Sequence, residues 1–425
     1  MPTDAGTVES AAPRRSWLRT AGLFLAVLGP GLITANVDND AGGITTYSLA
    51  GSNYGYGLLW TLVPITVALI VVQEMCARMG VVTGKGLADL IRESFGVKVT
   101  FWVSLALIVA NFGNVVAEFA GVAASLQIFH VPVVVSVPLA ALAVWLLVLK
   151  GTYQSVEKFF LVACLFYVAY PISLGLSHPD WGEVAKATFI PQVRWDAGYI
   201  GMLIGLVGTT IAPWMQFYLQ SAVVEKRIKL EHYWLSRLDV VVGCVITDVV
   251  AFAIVVACAA TLYRAGVKVE TADQAAMALA PLAGRYASWL FAFGLFNASF
   301  FAAAILPLST AYYVCEAFGW ESGVDRKYGE AKQFYWFYSV ILFLGALVVL
   351  IPRLPLVEIM LVSQILNGIL LPFILVFMLV LINRERLMGN YRNGRFFNAV
   401  AWTTTVVMIA LTVYLVGVGI RDFLA

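Results

Sequence analysis

At 425 residues, the chain is 61% hydrophobic and only 12% charged, with a mean hydropathy of +0.86. This excludes a water-soluble globular domain and leaves a polytopic α-helical membrane protein. Its apolar stretches far exceed the ~9 to 11 residues of a barrel strand and lack period-2 alternation, so a transmembrane β-barrel is excluded too.

Residues 1–17 read as a cytoplasmic N-terminal tail, polar up to Ser16 and carrying Arg14 and Arg15. No small-residue cleavage site follows the first apolar run, so no removable signal peptide is expected. Hydropathy, broken at Gly, Pro and charge clusters, then predicts eleven spans: 18–51 (broken), 56–79, 99–127, 131–149, 155–176, 197–224 (broken), 237–263, 284–318, 333–351, 356–383 and 396–420. Short helices outside the bilayer are expected at Leu87–Phe95 and Ala272–Ala280. With the N-terminus inside, 20 of the 27 Lys and Arg fall on the cytoplasmic side, and this bias sets the orientation and favours an odd span count. The C-terminus then lies outside, in the cytoplasmic membrane of the cell.

The first span is interrupted by Asn36-Val37-Asp38-Asn39-Asp40-Ala41-Gly42-Gly43. A charged side chain at that depth costs several kcal/mol, so an intramembrane Asp is a functional hypothesis by default. The Gly pair lets the backbone leave helical geometry, and such backbone is tolerated in a bilayer only when it lines a cavity or is buried in protein. The competing reading is a span ending at Asn36 and an ordinary loop, but Leu18 to Asn36 barely reaches the ~20 residues a span needs.

The sixth span repeats the anomaly. Gly201, Gly205 and Gly208 lead into Thr209-Thr210-Ile211-Ala212-Pro213-Trp214, and Pro213 removes a backbone donor and frees carbonyls near Thr209. Interruptions at corresponding positions in spans one and six point to two inverted five-helix repeats with the substrate between them, a LeuT-like arrangement. The transporter core is read as 18–383, with halves 18–176 and 197–383, and 384–425 adds a loop and a further span. Carbonyls at Ala41, Gly43, Thr209 and Ala212 are expected to share a cavity with the Asp40 carboxylate.

The five cysteines, Cys76, Cys164, Cys244, Cys258 and Cys315, sit in apolar stretches without C-x-x-C spacing and read as core residues. His130, His178 and His232 lie near span ends. Neither type therefore offers a soft-metal or catalytic cluster within the membrane, and no enzyme is expected. Glu74 and Arg78, four apart, read as an intrahelical pair. Asn111, Asn114, Asn297 and Asn367 read as interhelical hydrogen-bonding residues. Asp248, deep in the seventh span, has no evident partner and is assigned to a water-lined vestibule. Asp38 and Asn39 either accept from bound water, wall the entry path, or cap the freed backbone.

These residues resemble the Nramp family of divalent-metal transporters. Gly29-Pro30-Gly31 is similar to the start of the family's first span, whose D-P-G-N appears here as Asp40-Ala41-Gly42-Gly43. Its second span and following loop resemble Gln73 to Ala88, including V-V-T-G-K at 81–85. The sixth-span G-A-T-x-M-P-H is similar to Gly208 to Trp214, and the tenth-span S-Q to Ser363-Gln364. The resemblance implies that the cation is held at Asp40, at Gly43 in place of the family's Asn, at Ala212 in place of its Met, by the Thr209 carbonyl and by Gln364, with Asp38 added beside them.

The departures fall on the chemistry. Losing the thioether at 212 removes the one soft ligand that favours transition metals, and two smaller residues are expected to widen the site. Mg²⁺ sheds water reluctantly and is usually held by one or two carboxylates, so the pattern resembles the Nramp-related magnesium transporter branch, with Mn²⁺ as a further cargo. Restoring Ala212→Met with Gly43→Asn is expected to shift preference towards Mn²⁺ or Cd²⁺. Relative to the family, Val115 replaces an Asp three residues before Glu118, Trp214 replaces a His, and no Arg lies between Phe334 and Val349. Transport without proton coupling is therefore expected, Glu118 being either a vestige of the proton route or a buried group held by a neighbouring donor. The alternatives are a proton-coupled Mn²⁺/Fe²⁺ transporter and a Na⁺-coupled amino-acid carrier, whose substrate carboxylate Asp38 and Asp40 would repel. No cofactor is expected, Mg²⁺ being the cargo. The expected partners are the divalent cation and the lipid bilayer, with no nucleic acid, and the chain is expected to work as a monomer.

Overall fold

The structure is a computed structural model that describes residues 29–150, 169–270, 274–275 and 287–424. The predicted tail, the start of the first span, most of the fifth span with Cys164, and most of 272–280 lie outside these residues. The first interrupted span consists of α1 (Pro30–Val37) and α2 (Ala41–Tyr54). It is followed by α3 (Leu59–Thr83), α4 (Leu87–Phe95), α5 (Val97–Gln127), α6 (Val133–Lys150), α7 (Ala169–Leu176) and α8 (Trp181–Phe189). The second interrupted span is α9 (Ala197–Thr210) with α10 (Pro213–Glu225). The chain closes with α11 (Tyr233–Cys258), α12 (Ala287–Phe318), α13 (Lys332–Val349), α14 (Leu356–Ile382) and α15 (Arg395–Leu424). Every described element is helical, and nine helices among the described residues are long and apolar enough to cross a membrane.

Burial shows what the bundle is built around. All of the apolar window of the α9–α10 span is buried, against 17% of that of α15. The interrupted span therefore forms the interior, and α15 lies at the periphery. Around it α5 packs on α12 and α14, α14 packs on α9, and α11 packs on α1, α2 and α3.

Both interruptions are real. The first is narrower than the sequence suggests: only Asp38–Asp40 leave the helix, and Ala41 to Gly43 already form the first turn of α2. The second spans Ile211 and Ala212, with Pro213 at the first position of α10, where its missing N–H costs nothing. A short helix, α8, not expected from the sequence, begins where Asp180 accepts from the Gly182 and Glu183 N–H groups at 2.9 and 3.1 Å, an N-cap in the connection between the fifth and sixth predicted spans.

The predicted Glu74–Arg78 pair forms at 3.1 Å. Arg78 also donates to the Tyr391 carbonyl at 3.1 Å and to Asn393 Oδ1 at 2.5 Å, and the Tyr233 hydroxyl donates to Glu74. Residues four apart on α3 thus tie it to α11 and to the segment between α14 and α15. At the start of α1, Asp239 of α11 accepts from the N–H groups of Gly29 (3.2 Å), Gly31 (2.7 Å) and Leu32 (3.2 Å), donors that a helix cannot satisfy by itself.

Candidate cation site

Asp40 is the N-cap of α2. Its backbone is extended (φ −70°, ψ −172°), its Oδ1 accepts from Gly43 N–H at 2.7 Å, and its carbonyl accepts from Ile44 N–H at 2.9 Å. Only 4% of the residue is exposed. The helix dipole and these donors hold a carboxylate at a buried helix start, so the only acidic residue in the D-A-G-G stretch is pinned by the helix it begins.

Gly42 and Gly43 serve close approach, which corrects the reading that they unwind the helix. A Cβ on Gly42 would lie 1.9 Å from Gln364 Nε2, so the α14 amide rests directly on the α2 backbone. A Cβ on Gly43 would lie 2.2 Å from the Asp38 carbonyl oxygen and 3.3 Å from Thr209 Oγ1. The room expected at Gly43 is therefore filled by peptide oxygen, and the widening predicted there does not occur. The Gly43 carbonyl, one turn into α2, points along that helix.

In the second interruption, Pro213 cannot donate to the Thr209 carbonyl, which loses its usual i+4 partner. Ala212 behaves differently. Its extended backbone (φ −63°, ψ 137°) turns the carbonyl into α10, where it accepts from Met215 N–H at 3.0 Å. With the Gln216 amide oriented so that its nitrogen faces the carbonyls, which satisfies both of its ends, it donates to the same oxygen at 2.7 Å. The Ala212 carbonyl is thus committed to its own helix, because an N-cap carbonyl takes the first bond of the helix it precedes, which corrects the expectation that it is free.

Gln364 joins the two interruptions. A Cβ on Gly208 would lie 2.1 Å from the Gln364 carbonyl oxygen, so α9 touches the backbone of the residue whose side chain touches α2. Its Oε1 accepts from Asn367 Nδ2 at 3.0 Å, and Asn367 and Asn114 exchange bonds at 2.9 and 3.1 Å. Asn111 donates to the Leu306 carbonyl and to Thr310 Oγ1, both at 2.7 Å. The asparagine ladder across α14, α5 and α12 is the interhelical device read from the sequence, and it fixes the Gln364 amide.

Asp38 faces a different neighbour. Its Oδ2 accepts from the Tyr47 hydroxyl at 3.4 Å, and that hydroxyl pairs with Thr210 Oγ1 at 2.8 Å, bridging the two interrupted spans. Asn39 Nδ2 donates to the Thr247 carbonyl at 3.4 Å, and Thr247 donates to the Ala35 carbonyl. Capping falls to Asp40, not to Asp38 or Asn39. Two further residues join the interruption without having been placed there from sequence. Glu118 Oε2 accepts from Ala41 N–H at 3.2 Å and stands beside Asp40, and Asp248 lies within electrostatic reach of Asp38. The signal was present, since each is a lone acid in an apolar helix, but only the packing shows what it faces.

Among the described residues, no three His, Cys, Asp or Glu side chains converge as a ligand set. Cys76, Cys244, Cys258 and Cys315 are buried free thiols. The groups brought to the two interruptions are oxygen-bearing: the Asp40 carboxylate, the Gln364 amide against Gly42, and the Glu118 carboxyl on the Ala41 N–H.

A buried carboxylate between two interrupted helices is the arrangement of a LeuT-like membrane transporter. The solved structure of MhsT in complex with L-phenylalanine matches at a TM-score of 0.57 and 14% identity, covering 92% of this chain and 97% of that one. The Eremococcus coleocola manganese transporter matches more closely, at a TM-score of 0.77 and 22% identity, covering 99% of this chain and 91% of that one. The chain belongs to the Nramp family: the family model for natural resistance-associated macrophage protein-like sequences matches residues 31–417. Curated relatives include the divalent metal cation transporter MntH of Bacillus subtilis (strain 168), 25% identical over 416 residues and 92% of each chain. The MntH of Deinococcus radiodurans is 27% identical over 412 residues, 92% of this chain and 89% of that protein.

Proposed function

We propose that this chain is a divalent-metal transporter of the Nramp type that carries Mg²⁺, still partly hydrated, across the cytoplasmic membrane by alternating access and without coupling to protons. Its N-terminus lies inside and its C-terminus outside, and it works as a monomer in the bilayer. Asp40 is the charged ligand, the Thr209 carbonyl and the Gln364 amide are oxygen donors, and Asp38 borders the same interruption. Gly43 and Ala212 act by what they leave out. The observation that carries the metal preference is Ala212, where the family pattern places a thioether; without sulfur the donor set favours hard cations, and Mg²⁺ is usually held by one or two carboxylates while it keeps several waters.

The test is uptake into liposomes with Mg²⁺, Mn²⁺ and Ca²⁺ as competitors, comparing the natural chain with Ala212→Met. We expect Mg²⁺ uptake by the natural chain, and in the variant a gain in Mn²⁺ or Cd²⁺ affinity with a loss of Mg²⁺ transport. An unchanged metal ranking would show that ligand softness does not set the preference. The second reading, a proton-coupled Mn²⁺/Fe²⁺ transporter, is favoured by one observation: Glu118 stands beside Asp40, which places two titratable groups within reach of each other.

A further inference from the structure

The Asp40 position does not account for the other acids around the first interruption. Asp38, Asp40, Glu118 and Asp248 are 2%, 4%, 0% and 6% exposed, and among the described residues no Lys, Arg or His pairs with any of them. A buried carboxylate normally has a charged or hydrogen-bonding partner, because desolvating it otherwise costs several kcal/mol. Asp40 has its helix N-terminus and Glu118 has the Ala41 N–H. Asp248 has nothing comparable. Neither of its carboxylate oxygens has a partner of full hydrogen-bonding geometry; the one hydroxyl turned towards it, on Thr66, has a single proton and already places it on the Leu62 carbonyl at 2.8 Å, so it offers Asp248 at most a share of that proton.

Two more unpartnered oxygens belong to the turn that packs on this part of α11. Asp38 Oδ1 has no partner, its other oxygen being turned to Tyr47. Asn39 is fully buried, and its Oδ1 also has none, while its nitrogen reaches the Thr247 carbonyl, the peptide bonded to Asp248. Four acceptor oxygens from three side chains therefore lie without donors where the Asp38–Asp40 turn packs on α11. Acceptors cannot satisfy one another; they need a cation or donated protons, and a bound water between them must itself be oriented by one or the other.

We propose that Asp38 and Asp248, with the side-chain oxygen of Asn39, form a second position for a hydrated divalent cation on the α11 side of the first interruption, separate from the Asp40 position. Two carboxylates and an amide oxygen suit an ion that keeps several waters. Two divalent cations would also balance the four carboxylates of the interruption in charge. The inference rests on the reading of the chain as a carrier of divalent cations, and it adds a station that Asp40 does not build.

Mn²⁺ binding to the purified full-length protein in detergent tests it, free Mn²⁺ being followed by its electron paramagnetic resonance signal and Mg²⁺ added as competitor. We expect two Mn²⁺ per natural chain, both displaced by Mg²⁺. Asp248→Asn, nearly isosteric, should bind one, and Asp40→Asn should bind the other one. Thermal melting of each variant separates a lost site from a lost fold, and Asp248→Glu should restore the second ion if the carboxylate is what counts. One Mn²⁺ per natural chain, or two in Asp248→Asn, overturns the second position, the acceptors then being satisfied by protons. If liposomes still take up Mg²⁺ in that case, the transport reading stands and only this inference falls. Absence of both binding and uptake removes the two together.

Discussion

Residue-scale chemistry here turns on what glycine permits. Gly43 stands where the family pattern has a side-chain ligand, and the natural expectation is an enlarged cavity. Instead the Asp38 carbonyl occupies the space, 2.2 Å from where a Cβ would be. Gly43→Asn should therefore lower the melting temperature in detergent, with overpacking costing about 1–3 kcal/mol, before any effect on metal choice is seen. The informative variant is Ala212→Met by itself. Asp40 and both interruptions were legible in the sequence, because an acid inside an apolar run and a proline each break a local rule of membrane helices, whereas Gln364 was marked only by its likeness to the family's tenth-span S-Q. The fate of the Ala212 carbonyl was not, since it depends on the extended backbone of one residue, and neither were the partners of Glu118 and Asp248, since lone acids do not reveal which helix they face.

Among elements, the fold depends on close helix contacts made at single glycines. Gly208 lets α9 reach α14, where a Cβ would lie 2.1 Å from the Gln364 carbonyl, whereas Gly201, two turns earlier on the same helix, has no heavy atom within 4 Å of a Cβ. Gly208→Ala should destabilise the protein by about 1–3 kcal/mol and impair uptake, while Gly201→Ala should be neutral or stabilising by about 0.5–1 kcal/mol. Melting curves of the pair check both. The attachment of α1 gives a second expectation: Asp239→Asn replaces one acceptor oxygen with a donor facing backbone N–H groups, and leaving such a group unsatisfied costs about 1–3 kcal/mol. Hydrophobic runs located the long helices to within a few residues; α8, as short as the predicted α4 but with a weaker two-sided pattern, escaped because only the Asp180 cap announces it.

For the whole molecule, the matter is what drives the cargo. A Mg²⁺ ion carries two charges, so an interior-negative potential contributes ~4.6 kcal/mol per ion per 100 mV, enough to concentrate Mg²⁺ without a second ion gradient. Proteoliposomes loaded with a pH dye should then show uptake that rises with an imposed potential and no acidification in step with it; acidification tracking uptake would return Glu118 to a proton route. The way α1 is attached adds a mechanical point. Three N–H groups at its start are bonded to Asp239, so the first half-helix is moored to the N-terminal part of α11. If that mooring holds through a transport stroke, α11 is drawn along with α1, and Asp248, nine residues or about 13 Å further along that helix, travels with Asp38 as though both were mounted on one crank.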